Sequence, residues 1–510
     1  MIKRRAFLGT VGAAAAAALA ACTTTQRGSV TSPPPSTPSP SPPPTTPSSS
    51  PSSSRTGIRS WAQLRATLRG GLLQPADPGY GTARHAYNPR FDGTQPAAVA
   101  RCIRPADVQA CVEFAAATRT PIAARSGGHS YAGYSTPAHG LVVDVGPMST
   151  VDVRRDGTAV VGAGARLMDI YAALAGAGRC LPGGSCPTVG IAGLTLGGGI
   201  GLLARKFGLT CDRLVSAQVI TADGVLRTAS AASEPDLYWA LRGGGGGNLG
   251  IVTSFTFATA PAPPLTVFSL QFPAGSAAAV LGAWQDWVTA GPDELFANCI
   301  IHGGTPPDCQ VGGCFVGSPS RLNAMLDDLV RRSGATPTNH FVSAKSYLDA
   351  MRYSAGCSQL TTAQCRPGWT GSGGTLQRES FVASSRIVAT PMRDPQPVVA
   401  AIAGSGLDAI FDSLGGAVRR VGAAATAFPH RTALASVQLH HEGSAAGPVA
   451  GVRDRLGALL GNHGYVNYLD PSLPGWGGAY YGANLPRLRT VAQRYDPDAV
   501  FAFAQGLARA

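Results

Sequence analysis

Lysine is nearly absent from this chain: Lys3, Lys206 and Lys345 are all it has, and the formal charge of +13 comes from arginines scattered without a basic run. Nucleic-acid binding needs a clustered basic patch, so no nucleic-acid partner is expected. The charge suits contact with acidic envelope material instead. Neither a CxxC nor a paired-histidine spacing occurs, which leaves no zinc-type metal site to propose. No GxGxxG opens a βαβ unit, and a Rossmann-type dinucleotide site is disfavoured accordingly. Charged residues are also few, 14% of the chain against 44% hydrophobic. From residue 57 onward the chain is long enough for two large, well-packed domains.

What is present begins with an address. Lys3-Arg4-Arg5-Ala6-Phe7-Leu8 has the twin-arginine pattern, an Ala-rich apolar stretch runs from 11 to 21, and Leu19-Ala20-Ala21-Cys22 resembles a bacterial lipobox. The stretch is too short to span a bilayer comfortably, so residues 1–22 are expected to be a signal peptide for the twin-arginine route. Cys22 would be acylated and anchor the mature chain to the outer face of the membrane; the alternative is an ordinary cleaved signal and a secreted protein. Residues 23–56 contain a long run of Pro, Ser and Thr, which cannot bury a core and is expected to act as a stalk.

Two glycine-rich apolar segments carry the chemistry. Residues 121–125 are short, apolar and β-compatible, and Gly127-Gly128 break them just before His129-Ser130-Tyr131. Glycines at a strand exit permit φ > 0, so successive peptide N–H groups can face an anion such as a pyrophosphate, with Arg125 and Ser126 beside it. In the second segment Cys186 and Val189 precede Gly190, Gly193, Gly197, Gly198, Gly199 and Gly201, where backbone can approach a flat ligand closely. Interleaving with Ile, Val and Leu sets these glycines apart from a flexible linker. Tight turns alone are the plainer alternative.

Periodicity and turn residues predict strands over 97–103, 121–125, 141–145 and 159–164, with helices over 105–117 and 166–175. A β-pair over 212–220 and 225–228, a helix over 236–242 and a strand over 251–259 follow. Past the Pro-rich 260–264, strands are expected at 266–272, 296–302, 311–316, 379–388 and 434–440, alternating with helices at 275–290, 321–333, 395–404 and 449–461. The whole reads as an α+β chain. On the last strand Gln438 and His440 lie two apart and share one face, either as substrate contacts or as its wet side.

The paired segments around His129 and Cys186 resemble the berberine-bridge-enzyme-like flavoproteins, within the larger vanillyl-alcohol-oxidase type of FAD-binding fold. Leu237-Tyr-Trp-Ala-Leu-Arg-Gly-Gly-Gly with Gly250-Ile251-Val, Phe428-Pro-His430-Arg431, Tyr465-Val-Asn467-Tyr468 and Tyr480-Tyr481-Gly482-Ala-Asn484 follow in family order. The resemblance implies a two-subdomain PCMH-type FAD-binding domain at 57–260, a substrate domain of antiparallel sheet backed by helices at 261–460, and a closing segment at 461–510 that returns to the FAD domain. It implies FAD bonded through both His129 and Cys186, cradled by the two glycine-rich segments, with Ile251, Tyr481 and Asn484 against it. With Cys22 and Cys186 so assigned, nine cysteines are left; Cys309/Cys314 and Cys357/Cys365 are close in sequence, and their pairing stays open.

The activity implied is removal of a hydride from an alcohol or sugar carbon to flavin N5, with O2 as acceptor and H2O2 as product. Tyr468 matches the base of carbohydrate-oxidising relatives, with Tyr465 nearby. A phenol with a pKa near ~10 needs positive charge or donors to serve at neutral pH. Alkaloid-oxidising relatives use a glutamate on the pocket strand, where this chain has Ser436, Gln438 and His440, with Glu442 near its end; that favours an alcohol or sugar over an amine. Val189 matches the position that gates oxygen, and valine there accompanies oxidase behaviour. Leu194 departs from the family, many members having histidine there. A tailoring oxidase of secondary metabolism and a non-catalytic envelope protein on the same fold are the alternatives.

Overall fold

The computed structural model describes residues 57–370 and 373–509; the signal, lipobox and stalk expected over 1–56 lie outside the described residues. Short apolar runs form the first layer: β1 (Ala98–Arg101), α1 (Pro105–Thr118), β2 (Ile122–Arg125) and β3 (Leu141–Asp144). β3 runs parallel to both β1 and β2, and Leu72–Leu73 adds an antiparallel edge to β1. Pro105 opens α1, and Arg119 ends it in the left-handed conformation. Its Val108, Cys111, Val112 and Ala115 are buried at i, i+3, i+4 and i+7, the period that faces one side of a helix to the sheet.

A second sheet comprises β4 (Val151–Val153), β5 (Thr158–Gly162), β6 (Leu214–Ile220), β7 (Leu226–Ser230) and β8 (Ile251–Ala258). It is antiparallel throughout, in the order β4-β5-β8-β6-β7. The connections hold α2 (Leu167–Gly176), α3 (Ile191–Gly197) and α4 (Pro235–Ala240). These two sheets are the halves of the PCMH-type FAD-binding fold. Helix α3 was not expected, because its glycines hid it from propensity; a Cβ at Gly197 would strike the Asn467 side chain, while Gly193 faces open space.

The third sheet is seven-stranded and antiparallel, in the order β12-β9-β11-β10-β14-β15-β13. Its strands are β9 (Leu265–Phe272), β10 (Leu295–His302), β11 (Asp308–Phe315), β12 (Asn339–Lys345), β13 (Phe381–Val388), β14 (Asp408–Ser413) and β15 (Ala435–Glu442). Helices α5 (Ala277–Ala290), α6 (Pro319–Ser333), α8 (Gln396–Ile402) and α9 (Gly447–Leu460) alternate with them, while α7 (Tyr347–Ser354) follows β12. Strands alternate their faces, and the register decides what each face holds. One face aligns Leu270, Val311, Cys299, Phe411 and Val437, all buried in one core with Trp284, Leu326 and Leu456 of the helices. The other is mixed: His302, Asp408 and His440 align in one row, Ile300, Ile410 and Gln438 in the next, and Asn298, Asp412 and Ser436 in the third. Strands β12 and β14 escaped the sequence analysis because their outward positions are polar or charged and their runs are short.

The tail over 461–510 contains α10 (Trp476–Tyr481) and α11 (Leu485–Tyr495), which pack back on the FAD-binding part: Ala222 N donates to Tyr495 O, and Arg487 pairs with Asp236 at 2.9 Å. Cys357 and Cys365 form a disulfide. Cys309 and Cys314 do not pair, since they lie five residues apart on extended β11, a separation of about 17 Å, beyond the ~7 Å reach of a disulfide.

Candidate functional site

The two sequence segments meet at one hydroxyl. His129 Nε2 lies 2.8 Å from Thr188 Oγ1, and Cys186 Sγ lies 3.6 Å from the same oxygen. The His129 ring stacks on Tyr87 with centroids 3.8 Å apart. Tyr87 in turn donates to Glu379 Oε2 at 3.1 Å, and Glu379 Oε1 lies 3.6 Å from His440 Nε2. Thr188, Tyr87 and Glu379 were not singled out in the sequence; for Thr188 the signal was its place two residues after Cys186.

The residues fit a flavin dinucleotide. Gly128 has φ +72° at the exit of β2, and among the described residues the peptide N–H groups of Gly127, Gly128 and Ser130 donate to no other protein atom. That is the free-donor nest a pyrophosphate takes. A Cβ at Gly193 would meet nothing within 4 Å, so open space faces that glycine, whereas one at Gly246 would touch Gly193 Cα at 3.8 Å, so those two backbones lie in contact. The other glycines serve packing. A Cβ at Gly190 would strike Ser126 Oγ and Gly127 N, one at Gly197 would strike Asn467 Oδ1, and one at Gly201 would strike the Gly183 carbonyl. Gly198, at φ +128°, would place a Cβ 3.4 Å from Tyr465 Oη.

Across from the anchors stand the tyrosines and the mixed sheet face. Gln438 Nε2 donates to Tyr131 Oη at 2.8 Å, and the Tyr131 ring stacks on Tyr468 with centroids 5.4 Å apart. Tyr465 meets Tyr468 edge-on at 5.0 Å. Its Oη accepts from Gly199 N and from Asn467 Nδ2, each at 2.8 Å. Burial nevertheless outweighs those donors and holds the Tyr465 phenol well above the ordinary tyrosine range, so it keeps its proton. Tyr468 is half-buried. His440 stacks on Phe381, and in its row Asp408 Oδ1 lies 2.8 Å from His302 Nδ1. Asp412, missed by the sequence, faces the same side; burial raises its carboxyl to about 7, and among the described residues nothing hydrogen-bonds to it.

Several expected cofactor contacts are instead engaged by the chain itself. Arg125 turns its guanidinium to the Ala83 and Arg84 carbonyls and pairs with Asp144 at 3.4 Å, so its charge is already matched. Ser126 Oγ donates to Ala163 O at 2.6 Å, while Ser130 Oγ accepts from Tyr134 N. Tyr481 is buried and braces the glycine turn by donating to Gly244 O at 3.0 Å. Asn484 donates to the carbonyls of Ala423, Thr426 and Ala427, fixing that loop. Ile251 lies in the core of the second sheet opposite Ile220. Val189 is half-buried three residues past Cys186, its carbonyl accepting from Leu167 N.

Comparison with known proteins supports the same assignment. Residues 96–230 match the FAD binding domain family, and residues 464–508 match the family described as berberine and berberine like. An uncharacterised FAD-linked oxidoreductase of Bacillus subtilis is 32% identical over 87% of this chain and 98% of its own. The xylooligosaccharide oxidase of Thermothelomyces thermophilus is 31% identical over 82% of this chain and 88% of its own. Among solved structures, the berberine-bridge-enzyme-like protein 1 of Physcomitrella patens superposes with a TM-score of 0.80 at 30% identity, over 88% of this chain and 99% of that one. Unclaimed peptide N–H donors around His129, together with matches that run nearly end to end, place this chain in the berberine-bridge-enzyme-like family of FAD-linked oxidoreductases.

Proposed function

We propose that the protein is an oxidase of sugar or oligosaccharide CH–OH groups, with dioxygen as acceptor and FAD bonded to both His129 and Cys186. The observation that carries the substrate class is the Gln438–Tyr131–Tyr468 cluster, whose Gln438 lies between a row of His302, Asp408 and His440 and a row of Asn298, Asp412 and Ser436. Polar groups so placed suit a ligand rich in hydroxyls. Similarity to a xylooligosaccharide oxidase supports the same class.

When bound, the flavin accepts the hydride and passes two electrons to dioxygen, giving hydrogen peroxide. The chain supplies the rest. Tyr468 Oη, in its phenolate form, receives the substrate hydroxyl proton. Gln438, whose amide N–H is committed to Tyr131, presents its Oε1 to a second substrate hydroxyl, and His440 borders the same position. Asp412, with its carboxyl near neutrality, holds the proton on that face. Tyr465 keeps its proton and ties Gly199 to Asn467, fixing the tail that carries Tyr468. Val189, beside Cys186, sets access for oxygen. The chain is further proposed to be exported by the twin-arginine route and lipid-anchored at Cys22. Holoprotein incubated in air with a panel of xylo-, cello- and chito-oligosaccharides should release peroxide with at least one of them; silence across the panel, with peroxide from a glycosylated secondary metabolite, would favour a tailoring role.

A further inference from the structure

We propose that Thr188 is a proton relay between the two attachment side chains, accepting the Cys186 thiol proton and passing its own to His129 Nε2. The proposal rests on the two-bond attachment proposed above. A threonine hydroxyl has one proton and two lone pairs, and this one touches both groups, at 2.8 Å from Nε2 and 3.6 Å from Sγ. Two complete patterns fit those contacts. In one, S–H donates to Oγ1 and Oγ1–H donates to Nε2; in the other, Nε2–H donates to Oγ1 and Oγ1–H donates to a thiolate. They are the beginning and end of a single proton shift.

The backbone holds Thr188 in place for this. It sits in a turn closed by Val189 N donating to Cys186 O, while Met168 N and Leu167 N grip the carbonyls of Pro187 and Val189 at the start of α2. Thr188 is 2% exposed, so its hydroxyl is held against the two half-buried attachment residues and not turned to solvent. The Tyr87 stack fixes the imidazole plane. An ordinary thiol is mostly protonated at neutral pH, and only the thiolate is a strong nucleophile. The relay supplies that thiolate where the flavin ring would lie. The S–C bond then forms as the ring hydrogen at that carbon leaves as a proton. The two electrons left on the ring are removed by dioxygen, giving peroxide. His129 ends as an imidazolium that returns its extra proton to solvent.

The test is peptide mapping by mass spectrometry of full-length protein, wild type beside Thr188→Val, Thr188→Ala and Thr188→Ser, sampled over time after FAD loading. It counts flavin on Cys186 and on His129 separately. The relay predicts that the Val and Ala variants carry at least tenfold less flavin on Cys186 at equal times while His129 stays bonded, and that Thr188→Ser restores the wild-type yield. A merely structural hydroxyl would lower both bonds together. Wild-type yield and rate on Cys186 in either apolar variant would overturn the relay alone. A wild type without flavin on Cys186 would overturn the two-bond attachment and the relay with it.

Discussion

At the scale of single residues, the site divides its proton chemistry by burial. Tyr465 is sealed in and keeps its proton despite two donors, whereas Tyr468 is half-open beside Tyr131. Asp412 is a carboxyl that burial raises from 3.8 to about 7. A raised acid binds its proton more tightly folded than unfolded, so its stabilisation is full at low pH and is lost as pH climbs from about 4 through about 7. Asp412→Asn should therefore raise the melting temperature at pH 8 and leave it nearly unchanged at pH 4. If Asp412 acts as proposed, the wild type's kcat rises with pH through about 7, and the substitution should remove that rise, with kcat at pH 8 falling about a hundredfold. An unchanged pH–rate profile would take Asp412 out of the reaction. His129, Cys186, Tyr465 and Tyr468 could be singled out in the sequence because they stand in motifs that resemble the family's. Asp412 and Thr188 were not, because an acid on an unrecognised strand and a threonine in a turn look ordinary until the register and the hydroxyl contacts are known.

Among elements, the glycine-rich run from Val189 to Gly201 shows where sequence and structure part. Its glycines signalled close approach, and that holds, but most of the approaching partners are protein rather than ligand. Gly201 faces the Gly183 carbonyl, so Gly201→Ala must move backbone and should cost about 1–3 kcal/mol of stability. Gly193 lies in α3 with open space at its Cβ. Gly193→Ala should melt like the wild type without flavin yet bind less FAD, read by flavin absorbance per protein. Equal flavin content in the two would mean the open space at Gly193 is not where the cofactor lies. The sheets were legible to the extent that their strands are apolar: β9 and β10 were anticipated within a residue or two, while β12 and β14 put polar residues outward and blurred the alternation.

Across the whole molecule, three separate stretches of chain converge: the first layer brings His129, the second Cys186, and the tail carries Tyr468 back to them. Buried ion pairs join the parts, the tail to α9 in one case and the loop before β15 to the FAD-binding part in the other. Arg453 meets Asp470 at 2.7 Å, and Arg431 clasps Asp212 with two bonds of 2.8 Å. The α+β class and the antiparallel sheet backed by helices were legible from the alternation of elements after residue 265. The face the sheet turns to the tail was not, since it depends on six strand registers at once. The central claim is that Tyr468 takes a proton from a sugar hydroxyl while the flavin is reduced. It is tested most directly by mixing holoprotein with an oligosaccharide under anaerobic conditions and following flavin absorbance, wild type against Tyr468→Phe. The wild type should bleach, and the variant, with the same flavin content and similar sugar affinity, should bleach at least about a hundredfold more slowly. Equal bleaching rates in the two proteins would contradict the account.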